Sequence, residues 1–247
     1  MKIIRRLFKA VFFLLLLLLI VYFLGPKVDK PLLTMELPAM EADLIKLQNR
    51  VSEREKVNTK IKANNESQIL WYDSIPSKTE YSILYLHGWS ASHEEGAPLH
   101  RELGQRYGAN VYLPRLEGHG VQEEQAMLHL TATDYFESAK EALAIAKQIG
   151  KKVIVMGTST GGTLALYLAQ GDEDIAGLLL YSPNVKIYDP TAVLLSGPWG
   201  LEIAKTIMDS DFYESEADSL KQSYWTTRYR VEALTQLQAL LDVTMKP

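Results

Sequence analysis

The sequence predicts an α/β protein with a mostly parallel sheet, preceded by an apolar helix. Three observations carry that expectation. Strand-like and helix-like segments alternate from Ser67 to Tyr181. The strand segments read as continuous apolar runs, as strands covered on both faces do. A long leucine-rich run stands alone near the N-terminus.

The chain has 247 residues, 47% hydrophobic and 23% charged, the balance of a globular protein rather than a disordered or polytopic membrane chain. Its 26 basic and 30 acidic residues give a net charge of −4, so there is no global electrostatic footprint for nucleic acid. With no cysteine, a disulfide framework, a thiolate zinc site and a cysteine nucleophile are all excluded.

Each segment has its own justification. Lys2, Arg5, Arg6 and Lys9 precede an uncharged run from Ala10 to Leu24, with six leucines from Leu14 to Leu19. Nothing polar interrupts any face, and with Lys9 snorkelling the run approaches spanning length. Tyr22-Phe23-Leu24-Gly25-Pro26 shows no small-x-small cleavage pattern. An uncleaved signal anchor over 1–25 is expected, its N-terminus cytoplasmic and the remaining chain extracytoplasmic by the excess of leading basic residues. Secretion after signal cleavage is the alternative. Pro26 to Pro38 reads as a linker, and Met40, Leu44, Leu47 and Val51 recur at helical spacing, predicting an amphipathic helix over 39–56 as a stalk or a packed element. This linker-and-helix unit spans 26–65.

Strands are expected at 68–72, 81–86, 110–113, 153–156 and 175–181, and helices at 98–107, 131–149 and 163–169. Thr131 with Asp134 supplies a helix start, and Gly150 a stop. Beyond Ser182 the strand signal ends, and 198–208 and 226–243 read as helices.

Gly157-Thr158-Ser159-Thr160-Gly161 is the motif that carries chemistry. It lies between an apolar strand and a helix, where a tight turn with small neighbours holds a serine above the sheet edge. The helix behind it presents its positive end to a developing oxyanion. His87-Gly88-Trp89 closes the earlier strand.

These motifs, with Gly118-His119-Gly120 between them, resemble those of the α/β-hydrolase superfamily of serine esterase and lipase type, nearest its monoacylglycerol-lipase and carboxylesterase branch. The resemblance covers about 66–247. It implies an α/β-hydrolase fold with the N-terminal part of the core at 66–182 and a helical cap at 183–247. It implies Ser159 as nucleophile and the backbone N–H groups of Trp89 and Thr160 as oxyanion donors. His87, Gly88, Gly157 and Gly161 then shape the oxyanion and elbow loops, and His119 a loop beside the pocket. His93, His100 and His129 are expected in solvent or on helix surfaces; Trp89, Trp199 and Trp225 line the pocket or pack in the core and cap. No metal-ligand spacing occurs, and no metal or other cofactor is expected.

The family order places an acid and then a histidine after the serine. All five histidines precede Ser159, so His119 would supply a base only in a rearranged triad; Asp189, a few residues past the strand ending at Tyr181, is the one outside candidate for the acid and has the character of a surface residue in a cap loop. The expectation is a chain truncated before the family's last core strands, with the strand ending at Tyr181 left as an apolar edge. The functional expectation is hydrolysis of a small or lipid-like ester through an acyl-serine, with membrane contact through the N-terminal helix and no nucleic acid. A catalytically inactive binding module is the alternative. Amidase, thioesterase and acyltransferase chemistry would use the same serine.

Overall fold

The computed structural model describes residues 2–245. Helix α1 (Lys2–Phe23) is exposed along its described length, and Ile3–Phe23 is long and apolar enough to cross a membrane. Helix α2 (Leu44–Val57) starts where the Asp43 carboxylate accepts the N–H groups of Ile45 and Lys46. Its Leu47 and Val51 are buried in the main core, so α2 is packed on the domain and is no free stalk.

A five-stranded sheet follows: β1 (Gln68–Leu70), β2 (Thr79–Leu86), β3 (Asn110–Leu113), β4 (Gly150–Thr158) and β5 (Ile175–Tyr181), in the spatial order β1-β3-β2-β4-β5. All neighbours are parallel except β1 with β3. Between them lie α3 (Leu99–Tyr107), α4 (Ala132–Ile149) and α5 (Thr160–Leu168). Glycine ends α3, with Gly108 left-handed at φ 63°. Gly150 acts differently: it is extended at φ −141° and passes the chain from α4 directly into β4.

Alternate side chains of β2, β3 and β4 divide between two cores. Leu84, Leu86, Tyr112, Val153 and Val155 pack under α4 and α5, against which a later helix, α8 (Glu232–Thr244), is packed in the same core. Ile83, Tyr85, Val111, Leu113 and Met156 form the opposite core, beside α3. Each fully buried leucine contributes about 1.5–3 kcal/mol of hydrophobic stabilisation. Strand β5 pairs only with β4 among the described residues, and Leu179 and Tyr181 are 40% and 41% exposed. The apolar edge read from the sequence is present.

Beyond Ser182 two expectations are corrected. The helix expected over 226–243 begins only at Glu232, and strands persist: β6 (Phe212–Glu214) pairs antiparallel with β7 (Arg228–Arg230). Tyr213 stacks on Tyr229, and the Arg228 guanidinium sits 3.3 Å from the Phe212 ring centre. Those cross-strand contacts outweigh the helical spacing of the segment. Helices α6 (Gly200–Met208) and α7 (Ser219–Tyr224) complete the chain.

The strand order fixes where a site can form. From β2 the chain winds outward to β3, then returns to place β4 on the other side of β2. Ligands of open α/β sheets bind outside the carboxyl ends of strands at such a reversal. The residues following β2 and β4 are 87–89 and 159–161.

Candidate active site

Ser159 occupies the turn between β4 and α5 with φ 50° and ψ −118°, a conformation rare for a side-chain-bearing residue. Its N–H donates to Tyr181 O at 2.9 Å. Its carbonyl accepts the N–H groups of Gly162, Thr163 and Asn184 at 3.0, 3.2 and 2.9 Å. The turn is closed by adjacent backbone: a Cβ on Gly161 would lie 2.0 Å from Leu86 O, and one on Gly157 2.6 Å from Gly161 O. Only glycine fits at either position. Ser159 itself is half-buried.

Opposite it, two neutral histidines hold the loop after β2. His87 is fully buried; its Nε2 accepts Leu116 N–H at 3.1 Å, which leaves Nδ1–H to donate to Gly88 O at 3.0 Å. Burial, and next the neighbouring His119, push its pKa down to about 3. His119 Nε2 accepts Ser90 N–H at 3.0 Å, and its Nδ1–H donates to Glu117 O at 2.7 Å. Burial pushes its pKa down to about 4. Both ring nitrogens of both residues are therefore engaged. Trp89 packs edge-on against His119 and Tyr135, at 5.5 and 5.1 Å between ring centres.

Main-chain donors in the two loops fall into two sets. Gly88 N–H is taken by Glu95 Oε2, Ser90 N–H by His119, Ala91 N–H by Gly88 O, and Gly162 N–H by Ser159 O. Among the described residues, the N–H groups of Trp89, Thr160 and Gly161 donate to no protein acceptor. Chemically, the site offers the hydroxyl of a half-buried serine and unpaired main-chain donors in both loops.

The remaining sequence candidates separate. His93 and His100 are 1% and 0% exposed, correcting the expectation of solvated residues. His93, in the turn before α3, and His100, in the first turn of α3, both face inward: His100 Nε2 donates to His93 O at 2.8 Å, and its ring lies 5.0 Å from that of Tyr85. His129 is exposed. Asp189 is exposed and caps a 3-10 turn through Thr191 N–H. Trp199 is half-buried at the start of α6, and Trp89 packs against the main core. A groove of about 690 Å³ is lined by Arg50, Arg115, Glu117 and Glu141, and Ser159 does not line it. Sequence reasoning missed Glu95, whose carboxylate accepts Gly88 N–H in the loop after β2, and Asn184, whose N–H donates to Ser159 O.

Fold and turn together define an α/β hydrolase. The alpha/beta hydrolase family pattern matches residues 83–244, more than half of the chain, and the chain belongs to that family. It is 37% identical over 105 residues to a thermostable monoacylglycerol lipase of Bacillus sp. (strain H-257). That alignment covers 42% of this chain and 41% of the relative, so the match spans about two fifths of the relative's length. A solved structure from work on LipS and LipT, two metagenome-derived lipolytic enzymes, superposes with a TM-score of 0.57 at 20% identity. It covers 75% of this chain and 71% of that one, and supports the shared fold.

Proposed function

We propose that this protein is a membrane-anchored serine hydrolase of carboxylic esters, acting through an acyl-serine intermediate. The observation that carries the reading is the strained Ser159 between β4 and α5, flanked by the unpaired N–H groups of Trp89 and Thr160. Ser159 Oγ attacks the ester carbonyl carbon, and the carbonyl oxygen, turning negative, receives those two N–H groups. The proton that Ser159 gives up goes to the departing oxygen, which leaves as the alcohol; water then hydrolyses the acyl-serine, releasing the acid and returning a proton to Oγ. His87, Gly88, Gly157 and Gly161 shape the two loops without touching the reacting atoms.

The proposed substrate is a lipid-like ester. The monoacylglycerol lipase relative and an apolar N-terminal helix support it. In this reading 1–25 anchors the chain with its N-terminus cytoplasmic, 66–182 carries the serine, and 183–247 roofs the acyl pocket. A fluorophosphonate probe on the full chain tests the reading. Labelling confined to Ser159 and abolished in Ser159→Ala is the expected result; an unlabelled wild type sinks it.

One observation favours a second reading, a binding module without turnover. Ser159 Oγ has no hydrogen-bonded base among the described residues, and His87 and His119 have no free ring nitrogen. Under that reading the wild type does not label, and Ser159→Ala binds a monoacylglycerol ether analogue as tightly as wild type.

A further inference from the structure

We propose that Glu95 is a positioning residue that ties the two oxyanion loops together, fixing the Trp89 N–H relative to the Thr160 N–H. The proposal rests on the oxyanion reading above. Those two donors come from loops 71 positions apart in the chain, and an oxyanion hole works only when both are aimed at one point.

The connection is a continuous chain of hydrogen bonds. Glu95 stands in a 3-10 turn (His93–Gly96) whose start is capped by the Ser92 side chain. Its Oε2 accepts Gly88 N–H at 2.7 Å and the Tyr85 hydroxyl at 3.1 Å. A phenol has one proton to donate, so the Thr158 hydroxyl, 2.9 Å away, donates to Tyr85. Gly88 immediately precedes Trp89, and Thr158 immediately precedes Ser159 and Thr160. The carboxyl thus grips one loop directly and the other through a single phenol. Tyr85 is fully buried in β2, a central strand, which gives the chain a rigid midpoint.

Glu95 also does a second thing to Gly88. It occupies the N–H that would otherwise compete with Trp89 for the substrate oxygen. A Cβ on Gly88 would lie 3.0 Å from Glu95 Oε1 and 3.2 Å from Ser159 Cβ, so the carboxyl and the serine flank Gly88. Burial raises the Glu95 pKa, while the Gly88 N–H and the Tyr85 hydroxyl that it accepts oppose that rise. On the other side of Trp89, His119 performs the matching restraint on Ser90 N–H.

The test uses the full chain in detergent micelles, with fluorophosphonate labelling rate and amide exchange at Gly88 as readouts. Glu95→Ala is expected to slow labelling of Ser159 by about tenfold to a hundredfold, the scale of a displaced reacting group, and to abolish protection at Gly88. Glu95→Gln keeps an acceptor oxygen for both donors and is expected to recover most of that loss. Tyr85→Phe cuts only the link to Thr158 and is expected to slow labelling by a smaller factor. Wild-type labelling by Glu95→Ala, or a Glu95→Gln variant as slow as Glu95→Ala, overturns the proposal. Should Glu95→Ala fail to fold, an undiminished rate in Tyr85→Phe overturns it and a reduced one supports it. Should the wild type itself not label, the serine reading fails separately. The exchange measurement then decides the clamp: unchanged Gly88 protection in Glu95→Ala refutes it.

Discussion

Ser159 and Trp199 both stand at positive φ immediately before a helix, yet they are held in different ways. Ser159 has φ 50° and ψ −118°; Trp199 has φ 61° and ψ 15°, within the ordinary left-handed well. Four backbone hydrogen bonds grip Ser159, three of them from the turn and chain around α5 and Asn184, the fourth to the end of β5. Trp199 hangs from the end of the apolar N-terminal segment: its N–H donates to Pro26 O at 2.7 Å and its indole Nε1 to Val21 O at 3.1 Å. The lesson concerns where backbone strain persists. A rarely populated conformation needs surroundings that over-determine it. The sheet supplies those at Ser159, while an αL residue at a surface helix start needs little support.

Two glycines give the largest test of that difference. A Cβ on Gly161 would meet Leu86 O at 2.0 Å and His87 O at 2.6 Å, at the end of central strand β2. A Cβ on Gly200 would meet Leu194 O at 2.4 Å and Leu195 O at 2.5 Å, in a 3-10 turn near the surface. The clashes are similar on paper, but the strand cannot retreat and the turn can. Gly161→Ala is expected to cost about 3 kcal/mol or more, and Gly200→Ala about 1–2 kcal/mol. Urea unfolding monitored by circular dichroism measures both, and equal costs would erase the distinction.

Acid should separate the two regions next. His87, His93 and His119 surround the loop opposite Ser159, and burial holds their pKa values down to about 3, 3 and 4. Unfolded, each titrates near 6.5. The unfolded chain therefore binds more protons below that pH, so stability is present above about pH 6.5 and is lost as pH falls toward 3–4. Near α6 the titrating group is of the opposite kind. Against the opposing effect of burial, hydrogen bonds from Arg230 and Lys205 bring Glu232 down to about 2. Its contribution is present above about pH 4.5 and is lost as pH falls through about 2. Amide exchange at pH 7.5, 6 and 5 should show residues 87–93 losing protection while 200–208 keep theirs; simultaneous loss refutes this ordering.

The difference between the regions also explains what could be read in advance. The strand–serine–helix turn was legible because Val153–Met156 is apolar and small residues follow it, a pattern dictated by local sterics. The apolar edge at β5 was legible on other grounds, from the resemblance, whose later core strands have no counterpart among the strands expected from the sequence. The hairpin of β6 and β7 was not. Its three-residue strands are too short to show alternation, and Tyr229 and Ala233 fall at helical spacing. The burial of His93 and His100 was hidden because it depends on how α3 lies over the sheet. Glu95 left no trace either, since its partner seven positions back is a main-chain N–H, which every sequence contains.

The strain itself gives the smaller tests. Ser159→Gly replaces a residue at φ 50° by one that adopts positive φ without a Cβ penalty. It should stabilise the fold by about 1 kcal/mol while abolishing fluorophosphonate labelling, the signature of strain retained for function. Loss of stability there would mean that the serine side chain contributes contacts exceeding its backbone cost. Trp199→Gly should change stability by no more than about 0.5 kcal/mol, because relief of a mild αL strain offsets the lost indole contact with Val21 O. Urea midpoints of the two glycine variants, measured side by side, set the scale of the comparison. A Trp199→Gly variant destabilised by several kcal/mol would show that the end of the N-terminal helix is part of the folded unit, with the Trp199–Val21 contact as rigid as the Ser159 turn.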